Sequence, residues 1–301
     1  SNGELTEDLS DLFLATYSVT VTDSLGCTEV LSIDITQPAA PLSVILTTVD
    51  VLCFGDSTGS IDALVSGGTS PYSFLWSNGE LTEDITGIPS GNYSLFVTDT
   101  NNCTFNVNTS IIEPLAPLSL VLVSADADCF GAPTGSITGS ASGGTAPYDY
   151  LWSNSETADD ISNLVAGEYT LTVTDGHGCV ISLSDTVNQP EEIILTHTQV
   201  DVLCFGDSTG SIDLEVIGGI TPYTYLWSNG ETTQDLSGIP ADIYDVDVFD
   251  DHGCLSEMQI QIIEPLTPIS LTETHTDALC IGGSQGTIDL TASGGVTPYS
   301  Y

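Results

Sequence analysis

Residues 91–103 read GNYSLFVTDTNNC. Tyr93, Leu95 and Val97 alternate with Ser94, Phe96 and Thr98, which is the period-two beat of a strand with one buried face. Asp99 then opens a turn that ends on Cys103. The same beat and turn return as ATYSVTVTDSLGC at 15–27, GEYTLTVTDGHGC at 167–179 and DIYDVDVFDDHGC at 242–254. Outward from this segment, a second strand carries Tyr72, Phe74 and Trp76 on one face, matched by Tyr148, Tyr150, Trp152 and by Tyr223, Tyr225, Trp227. It follows a Gly-Gly-X-X-Pro bend and precedes Asn78-Gly79 or Asn229-Gly230, dipeptides suited to hairpin turns. A third strand holds Ile61, Ala63 and Val65, matched by Ile212, Leu214 and Val216. With segments around Leu46, Ile85 and Val107, each copy has six or seven short strands, and no stretch shows a helical period. The pattern predicts an all-β chain of small antiparallel sandwiches.

Cysteines mark the spacing. They stand at 27, 53, 103, 129, 179, 204, 254 and 280, so equivalent cysteines recur every 75 or 76 residues. Cut after the linker prolines, the chain reads as the C-terminal part of a repeat (1–41), three full repeats (42–117, 118–192, 193–268) and the N-terminal part of another (269–301). It opens mid-motif at Ser1-Asn2-Gly3 and stops mid-motif at Tyr299-Ser300-Tyr301, as an internal stretch of a longer chain would.

Composition excludes several functions. A chain of 301 residues would ordinarily carry about thirty lysines and arginines; this one has none, against 42 aspartates and glutamates. Nucleic acid and anionic membrane are therefore excluded as direct electrostatic partners, because phosphate binding needs lysine or arginine. The carboxylates must be screened by solvent and dissolved cations, over a Debye length of about 8 Å at physiological ionic strength. Disorder does not follow, since 41% of the residues are hydrophobic at strict spacings and only 14% are charged. No apolar run approaches the roughly 18 residues of a membrane span.

Eight cysteines at fixed phase, without C-x-x-C or histidine-paired spacing, read as disulfides formed in an oxidising compartment, with buried thiols as the alternative. Asp23, Asp99, Asp175 and Asp250 end the same strand in every copy and are candidate calcium ligands, because calcium favours oxygen-rich turns. The competing role is acceptance of backbone N–H bonds within the turn. Asp8, Asp84, Asp160 and Asp235 recur in the same way. Asp56 and Asp207 are replaced by Ala132 and Gly283, so no ligand that every repeat needs can sit there. No cofactor is required by any motif. The four histidines (His177, His197, His252, His275) recur in no fixed set, and a hydrolase needs a nucleophile and base placed together. Catalysis is not expected.

Taken in order, CFGDSTGSI, SGGTSPYSFLWSNG and GNYSLFVTDTNNC resemble the repeat of SprB-type adhesins, large surface proteins of gliding motility in Bacteroidota. The likeness runs through the whole chain. The Tyr-X-Trp and Tyr-X-Leu-X-Val-Thr-Asp strands are also similar to immunoglobulin-like modules of the polycystic-kidney-disease (PKD) type. The resemblance implies a tandem array of immunoglobulin-like (PKD-like) sandwiches, cell-surface display, export by type IX secretion, and movement by the outer-membrane motility machinery. It also implies a stalk that presents an adhesive end or transmits force toward a surface or polysaccharide target held by other regions. Asp-Ser/Thr triplets such as Asp23-Ser24-Leu25 and Asp207-Ser208-Thr209 look like the O-glycosylation sites of such exported proteins. The alternative is a carbohydrate-binding module, for which Phe96 is the only aromatic on the outer face of its strand; its counterparts are Thr20, Thr172 and Asp247.

In an immunoglobulin-like sandwich, with strands lettered A to G, Cys53 falls in the A–B turn and Cys103 in the F–G turn, at opposite ends. A seven-residue strand spans roughly 23 Å, whereas a disulfide needs its α-carbons within about 7 Å. Head-to-tail stacking would instead bring the A–B turn of one repeat to the F–G turn of the next, pairing Cys53 with Cys179 and Cys129 with Cys254. Cys27 and Cys103 would then reach upstream repeats, and Cys204 and Cys280 downstream ones. Pairing of Cys53 with Cys103 inside one repeat remains the rival.

Overall fold

The structure is a computed structural model that describes residues 7–301; the opening Ser1-Asn2-Gly3 motif lies outside them. Its regular elements are all strands. β1 (Ala15–Thr22) and β2 (Thr28–Ile35) form an antiparallel pair. Six strands follow in the repeat at 42–117: β3 (Ser43–Val49), β4 (Gly59–Ser66), β5 (Ser73–Trp76), β6 (Ile85–Ile88), β7 (Gly91–Thr98) and β8 (Thr104–Ile111). The middle repeat has β9 (Ser119–Ala125), β10 (Gly135–Ser142), β11 (Tyr148–Trp152), β12 (Asp160–Leu164), β13 (Gly167–Asp175) and β14 (Val180–Val187). The next has β15 (Ile194–Val200), β16 (Gly210–Ile217), β17 (Thr224–Trp227), β18 (Leu236–Ile239), β19 (Asp242–Phe249) and β20 (Leu255–Ile262). β21 (Ser270–Thr276) and β22 (Thr287–Ser293) close the described chain as a second antiparallel pair.

Each full repeat has two three-stranded sheets, ordered β3-β4-β6 and β5-β7-β8 in the first, with the same order in the other two. The two sheets of the first repeat share one core: Val44, Ile61, Ala63, Ile85 and Ile88 from one meet Trp76, Tyr93, Leu95, Val97 and Ile111 from the other. Leu195, Ile212, Leu214, Trp227, Tyr244, Val246, Val248 and Ile262 repeat this arrangement in the third. The alternation legible in the sequence is therefore the alternation of burial. Two further features mark the immunoglobulin-like sandwich. Trp76, Trp152 and Trp227 are fully buried on the third strand, and each indole N–H donates to a backbone carbonyl: Thr82 at 3.0 Å, Ala158 at 2.9 Å and Thr233 at 2.8 Å. Tyr93, Tyr169 and Tyr244 each donate their hydroxyl to the carbonyl four residues upstream, on Pro89, Val165 and Pro240.

Six strands form per repeat, the lower of the two expected numbers. The Asn78-Gly79 turn closes with the Gly79 N–H on the Trp76 carbonyl and the Trp76 N–H on the Glu80 carbonyl, but no strand then continues along β5, and the chain crosses to the other sheet. Asp84 fixes that crossing: its Oδ1 accepts the Ala63 N–H at 2.9 Å, and Asp235 does the same for Leu214. The Gly-Gly bend needs its glycines. Gly67 has φ of +70°, and a Cβ there would lie 2.0 Å from the Pro41 carbonyl oxygen. The tyrosine after each linked proline secures the bend, Tyr72 and Tyr148 donating to the Gly67 and Gly143 carbonyls at 2.6 Å.

The chain divides into two compact units. Among the described residues, one comprises 7–119, Ala141–Asp149 and Val173–Ile181; the other comprises Leu120–Ser140, Tyr150–Thr172 and Ser182–Tyr301. The middle repeat contributes to both.

Candidate functional site

Two cysteine-bearing turns recur in every full repeat, at opposite ends of its sandwich. The F–G turn after β7 lies against the Gly-Gly bend: the Thr100 N–H donates to the Thr69 carbonyl at 3.1 Å. The A–B turn after β3 lies against the end of β8, where the Val51 N–H donates to the Ile112 carbonyl at 2.9 Å. Between these ends runs β4, eight residues long, or about 23 Å from first to last α-carbon. That length keeps Cys53 apart from Cys103 within a repeat.

Asp99 organises the F–G turn. Its Oδ1 accepts the Asn101 N–H at 2.9 Å and the Cys103 N–H at 2.8 Å, and its Oδ2 accepts the Thr69 N–H at 2.9 Å. Asp175 repeats the pattern with His177, Cys179 and Thr145, and Asp250 with His252, Cys254 and Ile220. Asp23 accepts from Leu25 and Cys27. Asp99, Asp175 and Asp250 are all buried. Burial alone would raise their carboxyl pKa, but the converging N–H bonds outweigh it and hold all three below the usual carboxylate range. A calcium ion would have to compete with these N–H donors for the same two oxygens. Among the described residues, no group of three or more His, Cys, Asp or Glu side chains gathers into a cation site. The geometry fits the turn-capping role of these aspartates better than the ligand role.

The A–B turn is held from a distance. Glu113, just past β8, accepts the Gly55 N–H on Oε2 at 2.6 Å and the Ser90 hydroxyl on Oε1 at 2.8 Å. Those bonds, the Gly55 N–H first, hold the Glu113 carboxyl below its usual pKa. Glu264 accepts from Gly206 at 2.6 Å, and Gln189 accepts from Gly131 at 2.8 Å. Sequence reasoning missed these three residues. Their signal was the Glu-Pro or Gln-Pro pair that opens each linker at 37–38, 113–114, 189–190 and 264–265.

Within the first unit Cys53 is bonded to Cys179, with α-carbons 5.7 Å apart. Within the second, Cys129 is bonded to Cys254, with α-carbons 5.6 Å apart. Each bond joins the A–B turn of one repeat to the F–G turn of the next, so Cys53 is not paired with Cys103. Cys27, Cys103, Cys204 and Cys280 are exposed thiols. Phe96 is 43% exposed on the outer face of its sheet beside Leu75. Thr20, Thr172 and Asp247 hold the equivalent places, so a stacking platform does not recur from repeat to repeat.

The fold and the bridges together define a tandem array of immunoglobulin-like β-sandwiches cross-linked from repeat to repeat. The SprB repeat family matches residues 45–81, 121–157, 196–232 and 272–301, four positions spread across the chain that support an SprB-type repeat region. The repeat-type family match points to a non-enzymatic structural protein. Adhesin repeats and disulfides are features of an extracellular or surface protein. No curated protein matches the sequence. Among solved structures, the chain is similar to Dpr2 Ig1-Ig2 in complex with DIP-Theta Ig1-Ig3, at 9% identity over 74% of this chain and 99% of that one, TM-score 0.29. It is also similar to the N-terminal eight Ig domains of DSCAM isoform 1.30.30, at 12% identity over 93% and 55%, TM-score 0.28. A tetra-tandem repeat from the extending region of a large adhesion protein aligns at 15% identity over 85% and 84%, TM-score 0.26. These overlaps are loose, and the fold assignment rests on the strands, the buried tryptophans and the tyrosine bonds above.

Proposed function

We propose that this chain is a load-bearing stalk segment of a secreted, filamentous cell-surface adhesin. It transmits force or presents an adhesive end during gliding motility. The reading includes export by type IX secretion, coupling to the outer-membrane motility machinery, and bonds from Cys27, Cys103, Cys204 and Cys280 to neighbouring repeats of the same long chain. The observation that carries it is the overlap of the two bridges: Cys129 lies inside the loop closed by Cys53–Cys179, and Cys179 lies inside the loop closed by Cys129–Cys254. Between Cys53 and Cys254 the bridges therefore add two shorter covalent routes to the main chain, each made of one bridge and one stretch of backbone.

Single-molecule pulling of the chain tests this. The Cys53–Cys179 bridge takes 126 residues out of the extensible path, so reduction should lengthen the fully unfolded chain by roughly 430 Å at about 3.4 Å per residue. Equal lengths with and without reductant would contradict the load-bearing role. Calcium at Asp23, Asp99, Asp175 and Asp250 is the part of the reading that a chelator decides. A melting temperature lowered by chelator supports it; an unchanged one leaves the aspartates as turn caps.

A further inference from the structure

We propose that His177 and His252 are positioning residues that set the register of the bridges between repeats. Each stands two residues before the bonded cysteine of its F–G turn, and its backbone N–H is fixed on the turn aspartate. Its ring reaches out of its own repeat. His177 Nδ1 lies 3.2 Å from the Leu52 carbonyl oxygen, and His252 Nδ1 lies 3.3 Å from that of Asp128. Leu52 and Asp128 are the residues immediately before Cys53 and Cys129. A carbonyl oxygen can only accept, so Nδ1 carries the hydrogen in both rings.

The bonded sulfurs of Cys179 and Cys254 lie 3.5 and 3.3 Å from those same two oxygens. One carbonyl thus serves as a fixed point for both the imidazole and the sulfur. The contact is kept although the residue supplying the oxygen is a leucine at one junction and an aspartate at the other. In the two F–G turns whose cysteines are free, the histidine place holds Leu25 and Asn101. Leucine has no donor, and Asn101 uses its amide within its own repeat, on the Thr69 hydroxyl at 2.9 Å. With no lysine or arginine in the chain, the imidazole is the donor that this position can extend across the junction.

The inference rests on the cross-linked array described above. When Cys53 and Cys179 form their bond, two thiols lose two protons and two electrons to an external disulfide, which becomes a dithiol. By holding the two turns in register beforehand, the histidine shifts that exchange toward the bonded form.

The test equilibrates the whole chain in mixtures of reduced and oxidised dithiothreitol, blocks free thiols by alkylation, and counts bonded and reduced peptides by mass spectrometry. His177→Leu copies the residue found at position 25. It should raise the reduced-to-bonded ratio of Cys53 and Cys179 by about fivefold, the worth of one hydrogen bond, and leave Cys129–Cys254 unchanged as an internal control. His177→Asn, whose Nδ2 can take the place of Nδ1, should restore most of the loss once Thr145→Val removes the hydroxyl that would otherwise hold the amide within its own repeat, as Thr69 holds Asn101. His252→Leu should give the mirror result. A ratio unmoved by His177→Leu would overturn the inference, as would equal movement of both bridges. Absence of both bridges from the unsubstituted chain would overturn the array itself and the inference with it.

Discussion

The two turns that meet at each bridge present the same atom by different means. The F–G turn is held locally: Asp99 stands four residues before Cys103 and accepts its N–H, and a third bond comes from Thr69 in the adjoining bend. The A–B turn is held by a side chain 58 residues further on, Glu113 on Gly55. A buried aspartate with three N–H donors has little freedom, whereas a long glutamate shared between one turn amide and the Ser90 hydroxyl yields more easily. The difference suggests a stiff socket and a more compliant plug, and substitutions at each can break or sharpen that contrast.

The largest effect should come from the bridges, which draw equally on both turns. Closing a loop of 126 residues stabilises the folded array by up to nearly 5 kcal/mol in the chain-entropy model. Cys53→Ser should therefore lower stability by as much as that, read by thermal melting with and without reductant. Removing a core anchor comes next. Trp227→Ala should cost about 3–5 kcal/mol and loosen both turns of its repeat together, seen as joint loss of amide protection at Gly206 and Cys254. Asp250→Asn should cost about 1–3 kcal/mol by turning an acceptor into a donor among N–H groups, and should disturb the F–G turn alone. Glu264→Ala should cost less, about 0.5–1.5 kcal/mol, while Glu264→Gln should be nearly silent because Gln189 fills the same role. An Asp250→Asn chain more stable than the Glu264→Ala chain would reverse the contrast.

Acid separates the turns most finely. The carboxyls of Asp99, Asp175, Asp250 and Glu113 have pKa values below their usual ones. Groups of this kind stabilise the fold fully above the ordinary carboxylate pKa of about 4 and lose that contribution as pH falls through the lowered folded value. The Gly55 amide signal should therefore titrate in that acid window, while the Gly131 signal, held by the Gln189 amide, should stay flat. An NMR titration reads both at once.

Much of this fold was legible because it rests on short-range pattern. Period-two runs such as Tyr93-Leu95-Val97 became the buried faces, the Tyr-X-Trp strand gave the core tryptophan, and the cysteine spacing gave the repeat. The aspartate before each F–G cysteine was visible as a recurring residue, though its two roles could be told apart only once the donors around it were seen. What stayed hidden depends on distance in sequence. Glu113 meets Gly55 across 58 residues and His177 meets Leu52 across 125, and no local period reports such contacts. The crossing at 77–84 was hidden too, because its Asn-Gly signal fixes a turn and not the sheet that the chain enters next.

The bridges that run from repeat to repeat hold the array together. Digestion of the unreduced chain at aspartate or glutamate, followed by mass spectrometry, measures this directly, since a sequence without lysine or arginine gives trypsin no site. The peptide holding Cys53 should be joined to the one holding Cys179, and Cys129 to Cys254. Recovery of Cys53 joined to Cys103 would contradict that pairing.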